Sequence, residues 1–385
     1  MKNNRLPIYI LVGLFVVAVI YRVASPPPPK PVGPKGLFPT WKSLVADGKM
    51  ISQNVNPTGS LWAGAWNDSS TAKVRSAVWI VDFNGYAAKP CMFKDGTCAL
   101  NVSWADDKTV RVVTSDSADP AKVSKCGLVY IDADTGKEKR SVSLDQVVSN
   151  VLCWPDGSDK FAAVLAGGGK QVKLAVLDES GKTVGKEIAV DMPKDSGLYS
   201  EAGMAADGSS FVFSVSDPAA KDGRAYYLAD AQQGSVKRIF ELGDVPGRIE
   251  GMWPSKDGVL MVCMVNDKLE TLVYDAAAGK INPLPAGIIE ADLKAKWPSA
   301  PKSMMFMTYK NAYEFSLIGA KTKTVFDLTK LDSASDKSQR EALRDSRLYP
   351  LKSGMFISIS EAGGGIDIRE LKNNGALSRN LLPRF

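Results

Sequence analysis

A bulky residue followed by a polar turn recurs along this chain every 38 to 52 residues. The units open at Trp66-Asn67-Asp68, Trp104-Ala105-Asp106-Asp107, Trp154-Pro155-Asp156-Gly157, Met204-Ala205-Ala206-Asp207-Gly208, Trp253-Pro254-Ser255-Lys256-Asp257-Gly258, Trp297-Pro298-Ser299 and Tyr349-Pro350-Leu351-Lys352-Ser353-Gly354. Self-similarity at that spacing means one supersecondary unit is repeated, and it constrains the fold more than any local pattern.

From the second unit on, each turn is followed by a β-forming run: TVRVVT at 109–114, KFAAVLA at 160–166, SFVFSVS at 210–216, VLMVCMV at 259–265, SMMFMTY at 303–309 and GMFISIS at 354–360. Several are apolar on both faces, as a strand buried between neighbouring sheets must be. A third strand then ends at an acidic residue and a glycine: Asp82 and Gly85, Asp132 and Gly136, Asp178 and Gly181, Asp230 and Gly234, Asp275 and Gly279, Glu370 and Gly375. Such turns are hairpin chemistry, with glycine taking the positive-φ position. A more polar fourth strand suits an outer edge.

Four-stranded units of this kind bury a continuous core only when they are arranged radially and closed. The expected fold is therefore an all-β, seven-bladed β-propeller over residues 36–385, with six or eight blades as alternatives. The first unit, around residues 62–90, is short, and the stretch 41–56 is available as its missing strand or as a degenerate extra blade. Only residues 332–345, where Ser338 and Glu341 are spaced as a capping box, read as an inserted helix.

The Trp154-Pro155-Asp156-Gly157 turn, the apolar strand after it, and Val176-Leu177-Asp178 with Gly181 resemble the WD-repeat-like blade of TolB-type periplasmic propellers. The resemblance covers roughly residues 60–385 and implies the fold; the units lack the Leu-Thr ending common in that family, so a TolB-like role is not implied. The run Ile131-Asp132-Ala133-Asp134-Thr135-Gly136-Lys137 is similar to the Asp-x-x-Thr-Gly-Lys turn of pyrroloquinoline-quinone-type repeats, including the assembly lipoprotein BamB. Arg140 stands where those repeats usually carry tryptophan, and no quinone or other cofactor is expected.

The N-terminal region has a different character. Residues 6–21 read LPIYILVGLFVVAVIY, uncharged and bracketed by Arg5 and Arg22. Snorkelling of those arginines lets a short stretch span a bilayer, so residues 1–24 read as a signal-anchor transmembrane helix contacting the membrane through 6–24. A cleaved signal peptide is the alternative, although no small-x-small site or lipobox cysteine follows. The linker 25–35, with SPPPPKPVGP at 25–34, is confined to polyproline II and would hold the domain roughly 30 Å from the bilayer. The expected location is the inner membrane, single-pass, with the propeller on the periplasmic side, a topology the positive-inside rule supports weakly.

Charge and composition exclude several functions. Of 48 basic residues, Lys2, Arg5, Arg22, Lys30 and Lys35 precede residue 36, leaving 43 against 42 acidic ones. A nearly neutral folded part lacks the electrostatic footprint of a nucleic-acid binder. The chain has no histidine, which removes Ser-His-Asp and Cys-His catalysis and the commonest zinc and copper ligand. No catalytic or metal residues are expected. Cys91 and Cys98 flank a short loop and either close a disulfide or remain two unpaired small residues; Cys153 and Cys263 lie in apolar runs that suit core packing.

In a propeller the loops between second and third strands gather on one face. On this chain they carry Asp116, Asp119 and Lys122, then Asp217, Lys221, Asp222 and Arg224, and finally Glu361. These residues are the candidates for a mixed-charge binding rim, against the alternative of solvated hairpin loops. The glycine triplets at 167–169 and 363–365 lack the lysine and hydroxyl residue of a P-loop. Trp104, Trp154, Trp253 and Trp297 recur at one blade position and are expected to pack in the core. The functional expectation is a non-enzymatic scaffold that docks an envelope protein, with a carboxylate-based carbohydrate-binding or carbohydrate-active propeller as the alternative.

Overall fold

The computed structural model describes residues 48–380 except 71–72, 85–87, 167–170, 267, 286, 308–310, 328–346, 352–353, 363–364 and 373–376. The apolar stretch 6–24, the proline linker, the helix expected at 332–345 and the 167–169 triplet lie outside the described residues, as do Gly363 and Gly364.

The chain is a seven-bladed β-propeller in which neighbouring strands of a blade are antiparallel and consecutive in sequence. Blade one is β1 (Lys49–Val55), β2 (Leu61–Asp68), β3 (Arg75–Asp82) and β4 (Ala88–Met92). Blade two is β5 (Cys98–Asp106), β6 (Thr109–Ser115), β7 (Cys126–Asp132) and β8 (Lys137–Ser143). Blade three is β9 (Val148–Cys153), β10 (Lys160–Leu165), β11 (Val172–Asp178) and β12 (Ile188–Val190). Blade four is β13 (Leu198–Met204), β14 (Ser210–Ser216), β15 (Arg224–Asp230) and β16 (Ser235–Glu241).

Blade five is β17 (Arg248–Ser255), β18 (Gly258–Val265), β19 (Lys268–Asp275) and β20 (Lys280–Pro283). Blade six contributes β21 (Ser303–Met307), β22 (Asn311–Ser316) and β23 (Lys321–Asp327). Blade seven is β24 (Arg347–Pro350), β25 (Phe356–Ala362), β26 (Gly365–Leu371) and β27 (Leu377–Asn380).

The second strands are the most buried elements, because each is covered by a blade on both faces. In β6, Val110 and Val112 pack with Ala63, Val78 and Ile80 of blade one, while the alternate residue Val113 packs with Phe161 and Leu165 of blade three. The two-residue period of a strand thus divides one sequence between two interfaces. Seven such clusters link consecutive blades around the ring. The last joins Leu351, Ile357 and Ile359 of blade seven to Trp62, Trp79 and Phe83 of blade one. No described blade mixes strands from the two ends of the chain, so apolar packing closes the circle. Most fourth strands are polar, and β8 is exposed along almost its whole length; β12 departs from the expectation, with Ile188 and Val190 buried against blade four.

The acidic ends of the third strands cap their own hairpins. Asp132 accepts from the Thr135 amide and hydroxyl, Asp178 from the Ser180 and Lys182 amides, Asp230 from those of Gln232 and Gln233, and Asp275 from those of Ala277 and Ala278. Gly258 has φ +148°, and a Cβ there would lie 1.9 Å from the Tyr274 carbonyl oxygen, so no other residue fits.

Two units depart from the expected repeat. Trp66 lies inside β2, the second strand of blade one, and not at its opening turn; β1, from the stretch before Asn56, supplies the inner strand. Blade six lacks an inner strand among the described residues. The segment before Trp297, which would form it, is instead helix α1 (Glu290–Lys296). Glu290 and Asp292 in its first turn and Lys294 and Lys296 in its last match the helix dipole, and every residue of EADLKAK except Asp292 is a good helix former. The inner strand β24 of blade seven then pairs directly with β21 at Phe306 and Arg347, merging blades six and seven into one seven-stranded sheet.

Candidate functional site

The inner strands line a central channel, and beside blade six, which has no inner strand among the described residues, lies a cavity of about 870 Å³. Its wall is made by the turn after β9, by β13 and β17, and by Pro298, Ser299 and Met304 of blade six. Met304 belongs to a second strand and would be screened from the channel in a regular blade. Ser299 Oγ donates to the Met204 carbonyl at 3.3 Å, tying the blade-six turn to blade four.

Among the described residues, three carboxylates line this cavity, those of Asp156, Glu201 and Glu250, with no lysine or arginine. Glu201 is held by two residues of β15: Arg224 forms an ion pair with it, and the Tyr226 hydroxyl donates to it at 2.7 Å. Burial pushes the Tyr226 phenol up, and the Glu201 carboxylate adds to the shift. Burial disfavours the Arg224 charge, but Glu201 outweighs it and raises the guanidinium pKa. The guanidinium also lies 3.9 Å from the ring centre of Tyr199, one of the few large apolar side chains exposed.

Glu250 accepts from Arg248 Nε at 2.7 Å. Asp156 has no arginine of its own in hydrogen-bond contact; Asn54 of blade one donates to it at 2.9 Å. The surrounding channel wall pushes its carboxyl up to about 6, while the Trp104 amide, the more distant Arg111 and Asn54 pull the other way. Its side chain still reaches channel water. Cys153, on the same wall, is pushed up to about 12 by burial and then by Asp156.

The charged residues expected to form a binding rim are largely engaged within or beside their own loops. Asp116 accepts from the Ser124 amide and hydroxyl and from the Lys125 amide, contacts that hold its carboxyl below the ordinary range. Asp119 caps the 3-10 turn Pro120–Lys122 through the Ala121 amide and pairs with Lys122 at 3.1 Å, which lowers its pKa. Asp217 is buried, accepting from the Ala219 amide and pairing with Arg238 at 3.1 Å. The Lys221 amide donates to Glu241, and Asp222 adopts φ +60° in the turn. Arg224 turns toward Glu201. Glu361 lies in β25. Among the described side chains of these candidates, Arg224 is the one tied directly to a cavity-lining carboxylate.

The thiols of Cys91, Cys98, Cys126, Cys153 and Cys263 are free in this structure, and Cys91 packs between blades one and two. Trp104, Trp154 and Trp297 are buried as expected, whereas Trp253 is half-buried and lines the cavity. Arg140 lies over the Tyr130 ring at 3.9 Å, filling the place of the expected tryptophan with a cation–π contact. Sequence reading missed Glu201, Glu250 and the channel role of Asp156. The first two are isolated acids in strands, and Asp156 looked like part of a turn; the only available signal was that inner-strand residues must face the axis.

No family model matches the chain, and no curated protein matches it. Among solved structures it is similar to the β-propeller domain of the Trilobed protease from Pyrococcus furiosus, at 10% identity over 88% of this chain and 97% of that one, with a TM-score of 0.43. It is also similar to the Dos1 propeller, at 14% identity over 84% and 92% of the two chains, with a TM-score of 0.41. The likeness is one of fold alone.

Proposed function

We propose that this chain is a membrane-anchored scaffold of the cell envelope, tethered by residues 1–24 and the 25–35 linker to the inner membrane. In this reading the propeller stands on the periplasmic side and binds an envelope protein through its central channel. The observation that carries the docking site is the contrast between two surfaces. The rim charges are largely used within their own loops, whereas the 870 Å³ cavity offers an open lining of carboxylates and half-buried apolar groups. Recognition sites are concavities of this size with a few placed polar groups.

The test is photocrosslinking in intact cells from a reactive amino acid at Met304, Tyr199 or Lys122. A single partner captured from Met304 or Tyr199 and not from Lys122 is expected. Capture from Lys122 alone would return the docking site to the rim, and capture from none would remove the scaffold reading.

A second reading is favoured by Asp156, Glu201 and Glu250 sharing a cavity with Trp253, a set that suits a glycan. A carboxyl pushed up to about 6 with two further carboxyl groups in the same cavity suits acid catalysis on sugars. A melting shift with envelope glycans that is lost in Trp253→Ala would support it, and no shift across such glycans would dismiss it.

A further inference from the structure

Among the described residues, blade six has no inner strand. Six blades contribute a described inner strand to the channel, namely β1, β5, β9, β13, β17 and β24. In the sixth unit the corresponding residues are folded as α1, whose Leu293 packs with Trp297 and Phe306 in the cluster between blades five and six. That segment is therefore unavailable to complete its own blade. Strand β21 pairs with β22 along its length on one side. On the other side β24 reaches it only at Phe306, so among the described residues Ser303, Met304 and Met305 have no strand partner there.

An unpaired strand edge is a template for another extended chain. This edge borders the large cavity, since Met304 is part of the cavity wall. The wall also has a definite charge. Among the described residues, its ionisable side chains apart from Cys153 are Asp156, Glu201 and Glu250. Arginines outside the lining neutralise Glu201 and Glu250, while Asp156 is held by a neutral amide.

We infer that blade six is completed by the partner: an extended, cationic peptide segment enters the channel, pairs with the Ser303–Met305 edge and sets a lysine or arginine against Asp156. This rests on the scaffold reading and adds the chemistry of the occupant. A strand of five or six residues, roughly 17–20 Å, is an ordinary length for such a segment. Backbone pairing supplies the register, and the carboxylate supplies the preference for a cation.

The test uses the full-length chain in detergent micelles and a fluorescent eight-residue Lys-Val repeat peptide. The controls are a Glu-Val repeat and the Lys-Val peptide N-methylated at alternate residues, which cannot form a ladder. Binding at least about ten-fold tighter than either control is expected. Asp156→Asn should weaken it by up to about five-fold, the range of one partly screened ion pair. Equal affinity for the methylated peptide would overturn the strand pairing, and equal affinity for Glu-Val would overturn the cation preference. Absence of peptide binding, including the case in which only a glycan shifts the melting point, would overturn the whole inference. Crosslinking from Tyr199 or Met304 in cells is independent of these peptides, so a failed peptide with a captured partner leaves the scaffold reading standing.

Discussion

The side-chain amide of Asn54, near the end of β1, donates to the Asp156 carboxylate at 2.9 Å, across 102 residues of sequence. The Asn54 carbonyl accepts from the Trp104 indole at 3.2 Å, so one residue of blade one touches blades two and three. Inner strands converge toward the axis, and contacts that skip a blade form only there.

The pH dependence of stability follows from Asp156. Its folded pKa of about 6 is raised above 3.8, so the fold favours the protonated form. That contribution is complete below about 3.8 and is lost as pH rises through 6. The full shift would correspond to about 3 kcal/mol, but channel water screens it, leaving roughly 1 kcal/mol. Denaturant titrations at pH 4 and pH 7 should find wild type losing that much more stability than Asp156→Asn.

Arg111 is a buried charge in the middle of β6. It donates to Ser103 Oγ at 2.9 Å and the Trp104 carbonyl at 2.7 Å, pairs with Glu179 of blade three at 3.0 Å and lies over the Trp154 ring. Burial lowers its pKa, and Glu179 opposes the shift. Arg111→Ala should destabilise by about 3–5 kcal/mol, since it orphans these acceptors and opens a void. Arg111→Met, which retains the packing, should lose less; urea melts of the two variants measure the difference.

Ring closure by apolar packing, with no shared blade among the described residues, predicts a local weakness. Ile357 is fully buried in the cluster joining blades seven and one. Ile357→Ala should cost about 2–5 kcal/mol. Hydrogen exchange should accelerate first in β2, β3 and β25, with β10 and β14 protected longest; uniform acceleration would mean that the ring opens as one unit.

The exposed loop pair of Asp119 and Lys122 should matter little. Both side chains are close to half exposed or more, and solvent and salt screen such a pair. Lys122→Gln should leave the thermal midpoint nearly unchanged. Arg238→Gln should lower it clearly, because it leaves the buried Asp217 without its ion pair.

Much of the fold was legible because a propeller repeats local chemistry. The Asp-to-Gly hairpins at Asp132, Asp178, Asp230 and Asp275 are local hydrogen-bonded turns, and apolar runs such as SFVFSVS fix which strand is covered twice. The error at Trp66 arose because a tryptophan in a second strand carries the same letters as one at an opening turn. The helix α1 was missed because the repeat pattern argued for a strand, while the local propensity of EADLKAK prevailed.

The sequence by itself determined the blade: its period, its turns and its alternation of apolar residues follow from neighbours a few positions apart. Which residues meet at the axis was decided by the tertiary structure, since Asp156, Glu201 and Glu250 come from successive blades and share a cavity only because the ring closes. The physical reason is range. Turn and strand preferences act within a few residues, whereas the channel and the unfilled edge of blade six exist only after seven units have packed in a circle.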